Sequence, residues 1–507
     1  MTTRHAGEAN AAVPPMERTQ LLVSPFYGTP DVSHLQVHSP SLDETSLADL
    51  LRNGFVYPPY SIYENVRLFS CGFDPSQDLF EQAHYQPIFR DSRHSHEHAD
   101  DRHHDWVGEY HERLCASLRT ATENMRAPWL LQSGGKDSTS LAIAASDARP
   151  DTACLTYLGG QEENEVDSAR QVATQLGLRH EALVCDVDRA YDRYLALVPR
   201  MKLLTADFAL LSYADLATEI SRCGGDGILD GMGSDVYLGV PANWAKRALR
   251  MLAMSVHLPD FLHEAEWLGS NFKLAYLIST LQMNPFERGF PGSRFTDAEV
   301  DALFGREIAG RSKERLSRFI PAFAQASNLE EQLSITLDIM SCAGGMAKGL
   351  YTSAALSLPV RYPYCDQPLR DWLAWKVPPE LRMDTRKGIS KVLVREHIGR
   401  RFASLPYVQA KGSFRFNLRE LARRRFEHVY DYSLRLRDVL PGAPAWLERH
   451  RQRLDNKYDA SKFYLLAVVL PWLDHHSALA VSIREERVAA QGGAGFVADP
   501  ERQVAAR

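Results

Sequence analysis

One short stretch limits the fold of this chain more than any other. Ala127–Gln132 (APWLLQ) is apolar, Ser133-Gly134-Gly135-Lys136-Asp137-Ser138 follows directly, and small and apolar residues then run through Ala145. Strand, glycine loop, helix is an order that belongs to a parallel sheet covered on both faces. The neighbouring sequence agrees. Ala153–Tyr157 (ACLTY) reads as a second strand, Glu181–Cys185 as a third and Gly227–Leu229 as a fourth. Between them Glu165–Leu176 reads as a helix, with Val166, Ala169, Val172, Ala173 and Leu176 on one face and Gly177 closing it. Ahead of the first strand, Trp106, Tyr110, Leu114, Leu118 and Met125 fall near one helical stripe. Beyond about residue 240 helical periodicity dominates.

The glycine loop has a chemistry of its own. Two glycines let the backbone approach an anion closely and adopt positive φ without a Cβ penalty. Successive N–H groups and the helix N-terminus behind them can then cradle phosphate oxygens. Ser133 and Ser138 add hydroxyl donors, and Lys136 adds a charge unless its side chain turns to solvent. Asp137 sits beside that phosphate and would repel it unless a metal intervenes, so it reads as a Mg²⁺ ligand. The loop is not a Walker A loop, which requires Ser or Thr directly after the lysine where Asp137 stands here. A second glycine turn, Asp230-Gly231-Met232-Gly233-Ser234-Asp235, runs off the fourth strand and also ends on an acid. Ligands bind at the carboxyl ends of parallel strands. Both loops are therefore expected on one crevice, with Asp137 and Asp235 sharing one Mg²⁺.

The chain has 507 residues, enough for two or three domains, with 45% hydrophobic and 24% charged residues and a formal net charge of −6. That balance argues against nucleic-acid binding by bulk charge. The Arg419–Arg425 run (RELARRR) reads as a solvated helix face. Seven scattered cysteines without a CxxC pair fit a reducing cytoplasm better than a disulfide framework. No apolar run is long enough for a membrane helix, and the N-terminal residues lack the apolar core of a secretory signal. Residues 1–33 read as a loose leader, 34–104 as a short module ending in a His-rich linker, 105–484 as the main domain and 485–507 as a flexible tail. His94, His96, His98, His103 and His104 of the linker lack carboxylate-backed ligand spacing, so they read as solvated rather than metal-binding.

Over roughly residues 106–425 the chain resembles the synthetase domain of the asparagine synthetase family, which includes β-lactam synthetases and lasso-peptide cyclases. The resemblance rests on elements in the family's order. SGGKDS is similar to its SGGxDS loop, and Asn164-Glu165 with Ala169, Leu176-Gly177 and His180 to its (D/N)E…A…lG..H segment. Gly231–Asp235 is similar to its GxGxDE loop, and Arg361–Asp366 (RYPYCD) to RxPFLD. Lys391 with Arg395 resembles its K…LR helix, and Lys411-Gly412-Ser413-Phe414 its KxGF element.

The resemblance implies a HUP-type fold (adenine nucleotide alpha hydrolase-like) in which ATP adenylates a carboxylate, pyrophosphate leaves and an amine displaces AMP. It implies that Ser133, Gly134, Gly135, Lys136, Asp137, Ser138, Gly231 and Gly233 bind ATP and its pyrophosphate. Asp137 and Asp235 would hold Mg²⁺. Lys411, in isolation a surface lysine in a glycine turn, would stabilise charge developing on the phosphate or the tetrahedral intermediate. The partners implied are a small-molecule or peptide carboxylate and an amine, with a precursor-processing protein if the product is a lasso peptide.

The departures matter equally. Thr2 follows Met1 where glutamine-hydrolysing relatives expose a cysteine, and no cysteine precedes Cys71. Only Leu47–Leu51, Gly54–Pro59 and Cys71-Gly72 resemble the closing stretch of the family's glutaminase domain, so residues 34–104 read as a truncated, non-hydrolytic remnant used for packing. Met232 stands where relatives carry Glu or Tyr, Val236 replaces an acid, and Pro359 replaces the Glu before RxPFLD. Glu266, His257 and His263 are candidate replacement bases, though each reads more simply as a helix-surface residue. The expected function is an AMP-forming amide ligase without glutaminase activity, serving ring closure or a related specialised biosynthesis. The rivals are an ammonia-dependent asparagine synthetase, a tRNA-modifying PP-loop enzyme, and a nucleotide-binding scaffold.

Overall fold

The computed structural model describes residues 20–23, 32, 35, 41–69, 72–73, 85, 87, 104–159, 165–239, 258–259, 271–290, 294–326, 329–384, 387–404 and 416–493. Two strands precede the main sheet, β1 (Gln20–Val23) and β2 (Val66–Phe69), which pair in parallel. Helix α1 (Glu44–Asn53) lies between them, capped by the Asp43 carboxylate and stopped by Gly54 at φ 82°.

The main sheet has five strands: β3 (Pro128–Leu131), β4 (Ala153–Leu158), β5 (Arg179–Val184), β6 (Gly227–Leu229) and β7 (Val360–Arg361). All pair in parallel, in the order β5-β4-β3-β6-β7. The central strands are buried except at Leu158, the last residue of β4, and read as near-continuous apolar runs, whereas β5 at the edge is largely exposed. Helices α2 (Trp106–Thr122), α3 (Lys136–Ala148), α4 (Glu165–Gln175), α5 (Val187–Leu197) and α6 (Leu210–Arg222) cover the sheet. The expected stripe on α2 is the buried one, with Tyr110, Leu114 and Leu118 fully enclosed. Met125 is buried too but lies beyond the helix end.

The fifth strand, two residues that end on the first residue of RYPYCD, is not among the four expected from the sequence. Its register places Val360 beside Ile228 and Arg361 beside Leu229. The C-terminal half is mainly helical, with a small hairpin of β8 (Met383–Asp384) and β9 (Ile389–Ser390). A long final helix, Lys457–Gly493, buries every residue from Ala460 to Leu473, including Trp472, whose indole donates to the Met201 carbonyl at 2.7 Å. Its helical backbone reaches Gly493, inside the segment expected as a tail. Among the described residues no helix is long and apolar enough to cross a membrane.

Candidate active site

In the order β5-β4-β3-β6-β7 the connections leave β3 and β6 toward opposite sides, so the crevice opens between the carboxyl ends of these two strands. The loop after β3 is Ser133–Gly135, leading into α3. The loop after β6 is Asp230–Gly233, leading into α7 (Ser234–Leu238). The loops pack on each other. A Cβ added to Gly231 would lie 3.3 Å from the Leu141 side chain and 3.7 Å from the Ser138 amide nitrogen.

Positive φ is required in the second loop rather than at the helix start after the first. Gly135 is extended at φ −84°, while Gly233 sits at φ 100° with Cys365 Sγ only 2.6 Å from any Cβ it might carry. Gly233→Ala is expected to destabilise the protein by about 2–4 kcal/mol, combining left-handed strain with overpacking. Urea unfolding checks this, and an unchanged midpoint would show that the turn relaxes freely.

The serines shape the first loop. Ser138 Oγ accepts the Ser133 amide at 3.1 Å and lies 3.0 Å from Ser133 Oγ, which in turn accepts the Gly135 amide at 3.1 Å. The Gly134 amide donates to Glu165 Oε2 at 3.0 Å. These hydroxyls, expected as phosphate donors, are therefore engaged with loop backbone. Among the described residues no side chain caps α3 at Gly135, and the first turn of this helix points its amides toward the crevice as an anion site requires. Lys136 is half-buried at the first position of that turn.

Asp137 and Asp235 come together as expected, and Lys391 lies between them. Its Nζ is 2.7 Å from Asp137 Oδ2, 2.5 Å from Asp235 Oδ1 and 3.1 Å from Ser234 Oγ. Lys391 is only 6% exposed. Burial alone would favour its neutral form, but the two carboxylates outweigh it and hold the ammonium above the usual lysine value. The sequence links Lys391 to a family helix and gives it no role at the acids.

Neighbouring polar groups hold this arrangement in place. The Tyr364 hydroxyl donates to the Asp137 carbonyl at 3.1 Å and lies 3.3 Å from the Tyr110 hydroxyl, itself 3.0 Å from Ser140 Oγ. His397 Nδ1 reaches the same Ser140 Oγ at 2.9 Å. His397 belongs to Val392–Arg401, the helix that Lys391 precedes, so the chain of contacts fixes that helix against α3. Burial, with His111 beside it, pushes His397 down to about 3, so it serves as a neutral hydrogen-bonding group.

The donor set suits a hard divalent cation. Asp137 Oδ1 is buried without a hydrogen-bond partner among the described residues, and the Asp235 side chain is nearly half exposed to the crevice. One ammonium touches both carboxylates, so they are close enough to share one small cation. Among the described residues no cluster of three or more His, Cys, Asp or Glu forms a ready-made cage. Mg²⁺ is commonly held by one or two carboxylates with phosphate oxygens and water completing its shell, a role the two aspartates could fill.

Met232 faces a π-helical turn, Ser341–Met346; a Cβ on Gly345 would lie 2.5 Å from its methyl carbon. The Asp230 carboxyl behind it is raised by burial, against the pull of Lys348. Lys348 pairs at 3.5 Å with Asp207. Lys411, the KxGF element, Asn164, His257, His263 and Glu266 lie outside the described residues, as do the linker histidines other than His104. The described chain resumes at Phe416, and the adjacent Asn417 lines a cleft of about 380 Å³ with Leu158, Val184 and Cys185, on the same carboxyl rim of the sheet.

Comparison with known proteins adds one finding. The asparagine synthase family model matches residues 109–425, spanning the sheet, both acidic loops and Lys391. No curated protein matches the chain.

Proposed function

Because the chain belongs to the asparagine synthase family, whose members are ATP-dependent ligases forming carbon–nitrogen bonds, we propose that it adenylates a substrate carboxylate and passes the acyl group to an amine. A carboxylate oxygen attacks the α-phosphorus of ATP, the bond to pyrophosphate breaks, and an acyl-adenylate remains. The amine then adds to the acyl carbon, loses a proton, and AMP departs. The observation that carries this reading is the convergence of two acidic loops at the sheet's crevice, with a buried lysine joining their carboxylates.

Asp137 and Asp235 would hold Mg²⁺, which when bound neutralises polyphosphate charge. The first-turn amides of α3 receive the leaving pyrophosphate, where fixed dipoles stabilise charge at no reorganisation cost. Met232 shapes the acceptor side, since a thioether takes no proton. This supports an amine other than one drawn from glutamine, in a specialised ring closure or ligation. The six described cysteines are free thiols, which supports a cytoplasmic setting.

The test is exchange of labelled pyrophosphate into ATP across a panel of amino-acid and peptide carboxylates, with nucleotide products identified. AMP should accumulate. Release of ADP and phosphate would overturn adenylation. Lys411→Ala should slow product formation by about a hundredfold with little change in ATP affinity, because an ammonium aimed at developing charge acts mainly in the transition state. Loss of ATP binding in that variant would reassign the residue to the ground state.

Residues 34–104 are proposed as a non-hydrolytic remnant with a packing role, supported by the way α1 buries Asp49 and Arg52 against the helical half. Purified protein should therefore release no glutamate from glutamine during turnover. Steady release, followed by a coupled glutamate assay, would contradict this.

A further inference from the structure

The position of Lys391 raises a question about how a metal reaches the two aspartates. Its ammonium occupies the space between Asp137 Oδ2 and Asp235 Oδ1 and is also held by Ser234 Oγ. The backbone is committed to this placement. Lys391 is at φ 60°, a conformation that non-glycine residues rarely adopt, and its amide donates to the Arg382 carbonyl at 2.7 Å. The side chain is buried, so an ammonium driven off the aspartates has little water to receive it.

We propose that Lys391 is a built-in counter-cation: it holds the Asp137–Asp235 pair and yields it to a divalent cation only when that cation arrives with a polyphosphate. This rests on the reading of Asp137 and Asp235 as metal ligands. The argument is one of charge. A bare divalent cation must displace a tethered ammonium and leave it buried without an anion, a costly exchange. A cation arriving on a triphosphate brings negative oxygens that can receive the displaced ammonium. The nucleotide complex therefore interacts differently with the two arrangements, as any ligand that shifts an equilibrium must. The consequence is ordered loading, with metal entering as the nucleotide complex and never ahead of it.

Mn²⁺ serves as a paramagnetic probe of the site, with protein-bound metal read from water-proton relaxation. Wild-type protein should bind Mn²⁺ at Asp137 weakly when alone and strongly with α,β-methylene-ATP, which cannot be cleaved at the bond that breaks. Lys391→Met should bind Mn²⁺ alone at least about tenfold more tightly than wild type, since the competing charge is gone. Asp137→Asn should abolish the site in both backgrounds. Wild-type protein that binds Mn²⁺ equally with and without the analogue, in an Asp137-dependent way, overturns the proposal while leaving the metal site intact. A folded Lys391→Met that gains no affinity also overturns it. Absence of Mn²⁺ binding under every condition removes the metal reading together with the proposal. If Lys391→Met does not fold, the two wild-type measurements still decide.

Discussion

Asp137→Ala is expected to abolish pyrophosphate exchange, lowering it by at least about a thousandfold for any carboxylate the wild-type protein activates, because several kcal/mol of charge stabilisation disappear. Two losses combine. The crevice loses half of its paired carboxylate, and Lys391 keeps Ser234 Oγ and one described carboxylate, Asp235, whose side chain is nearly half exposed. The damage should be local, because the Asp137 carbonyl still accepts from Tyr364 and α3 remains tied to its neighbours through Ser140. Asp137→Asn sharpens the test. The amide preserves shape and can still accept a hydrogen bond, but it carries no charge, so activity should fall as far as in the alanine variant. Thermal unfolding of each variant accompanies the assay. Substantial exchange in Asp137→Asn would mean that this position contributes packing and hydrogen bonding rather than charge.

Much of this site was legible in the sequence because its main parts are local. A strand, a glycine turn and a helix start are set by neighbouring residues, and SGGKDS and DGMGSD each carry their geometry within six positions. Their meeting on one crevice follows from a rule of parallel sheets and needs no knowledge of contacts. What was not legible is what distance in sequence conceals. Lys391 and Asp137 are 254 positions apart, and nothing in a K…LR pattern indicates which acids its ammonium meets. Glu165 reads as part of a family segment, while its contact with the Gly134 amide spans 31 positions. Strand β7 has only two residues, too few for either alternation or a buried apolar run to register. The serines show a subtler limit. Residue type identifies them as hydrogen-bonding loop residues, but it is the folded loop that commits those bonds to its own backbone groups.

Glu287→Ala is expected to cost about 3–5 kcal/mol of stability, the range for removing one partner from a buried ion pair. Glu287 is 1% exposed and joins the N-terminal segment to the helical half. Its Oε1 accepts from Arg52 at 2.7 Å and from the Tyr57 hydroxyl at 3.0 Å, and Arg294 approaches Oε2 at 3.7 Å. Arg52 also donates to Asp297 at 2.8 Å and to Ser312 at 2.8 Å, so one guanidinium from α1 meets three groups on the distant half of the chain. Burial opposes the charge on Arg52, but Glu287, Tyr57 and Asp297 together outweigh it, with Glu287 the largest of the three. Without Glu287, two buried guanidiniums share fewer anions and a phenol loses its acceptor. The double variant Arg52→Met/Glu287→Met should recover part of the loss, since removing both charges leaves fewer unpaired groups than removing one. Urea unfolding of the single and double variants measures the coupling. A single variant within about 0.5 kcal/mol of wild type, the usual range for surface substitutions, would show that the N-terminal segment is attached loosely and contributes little to the body that carries the site.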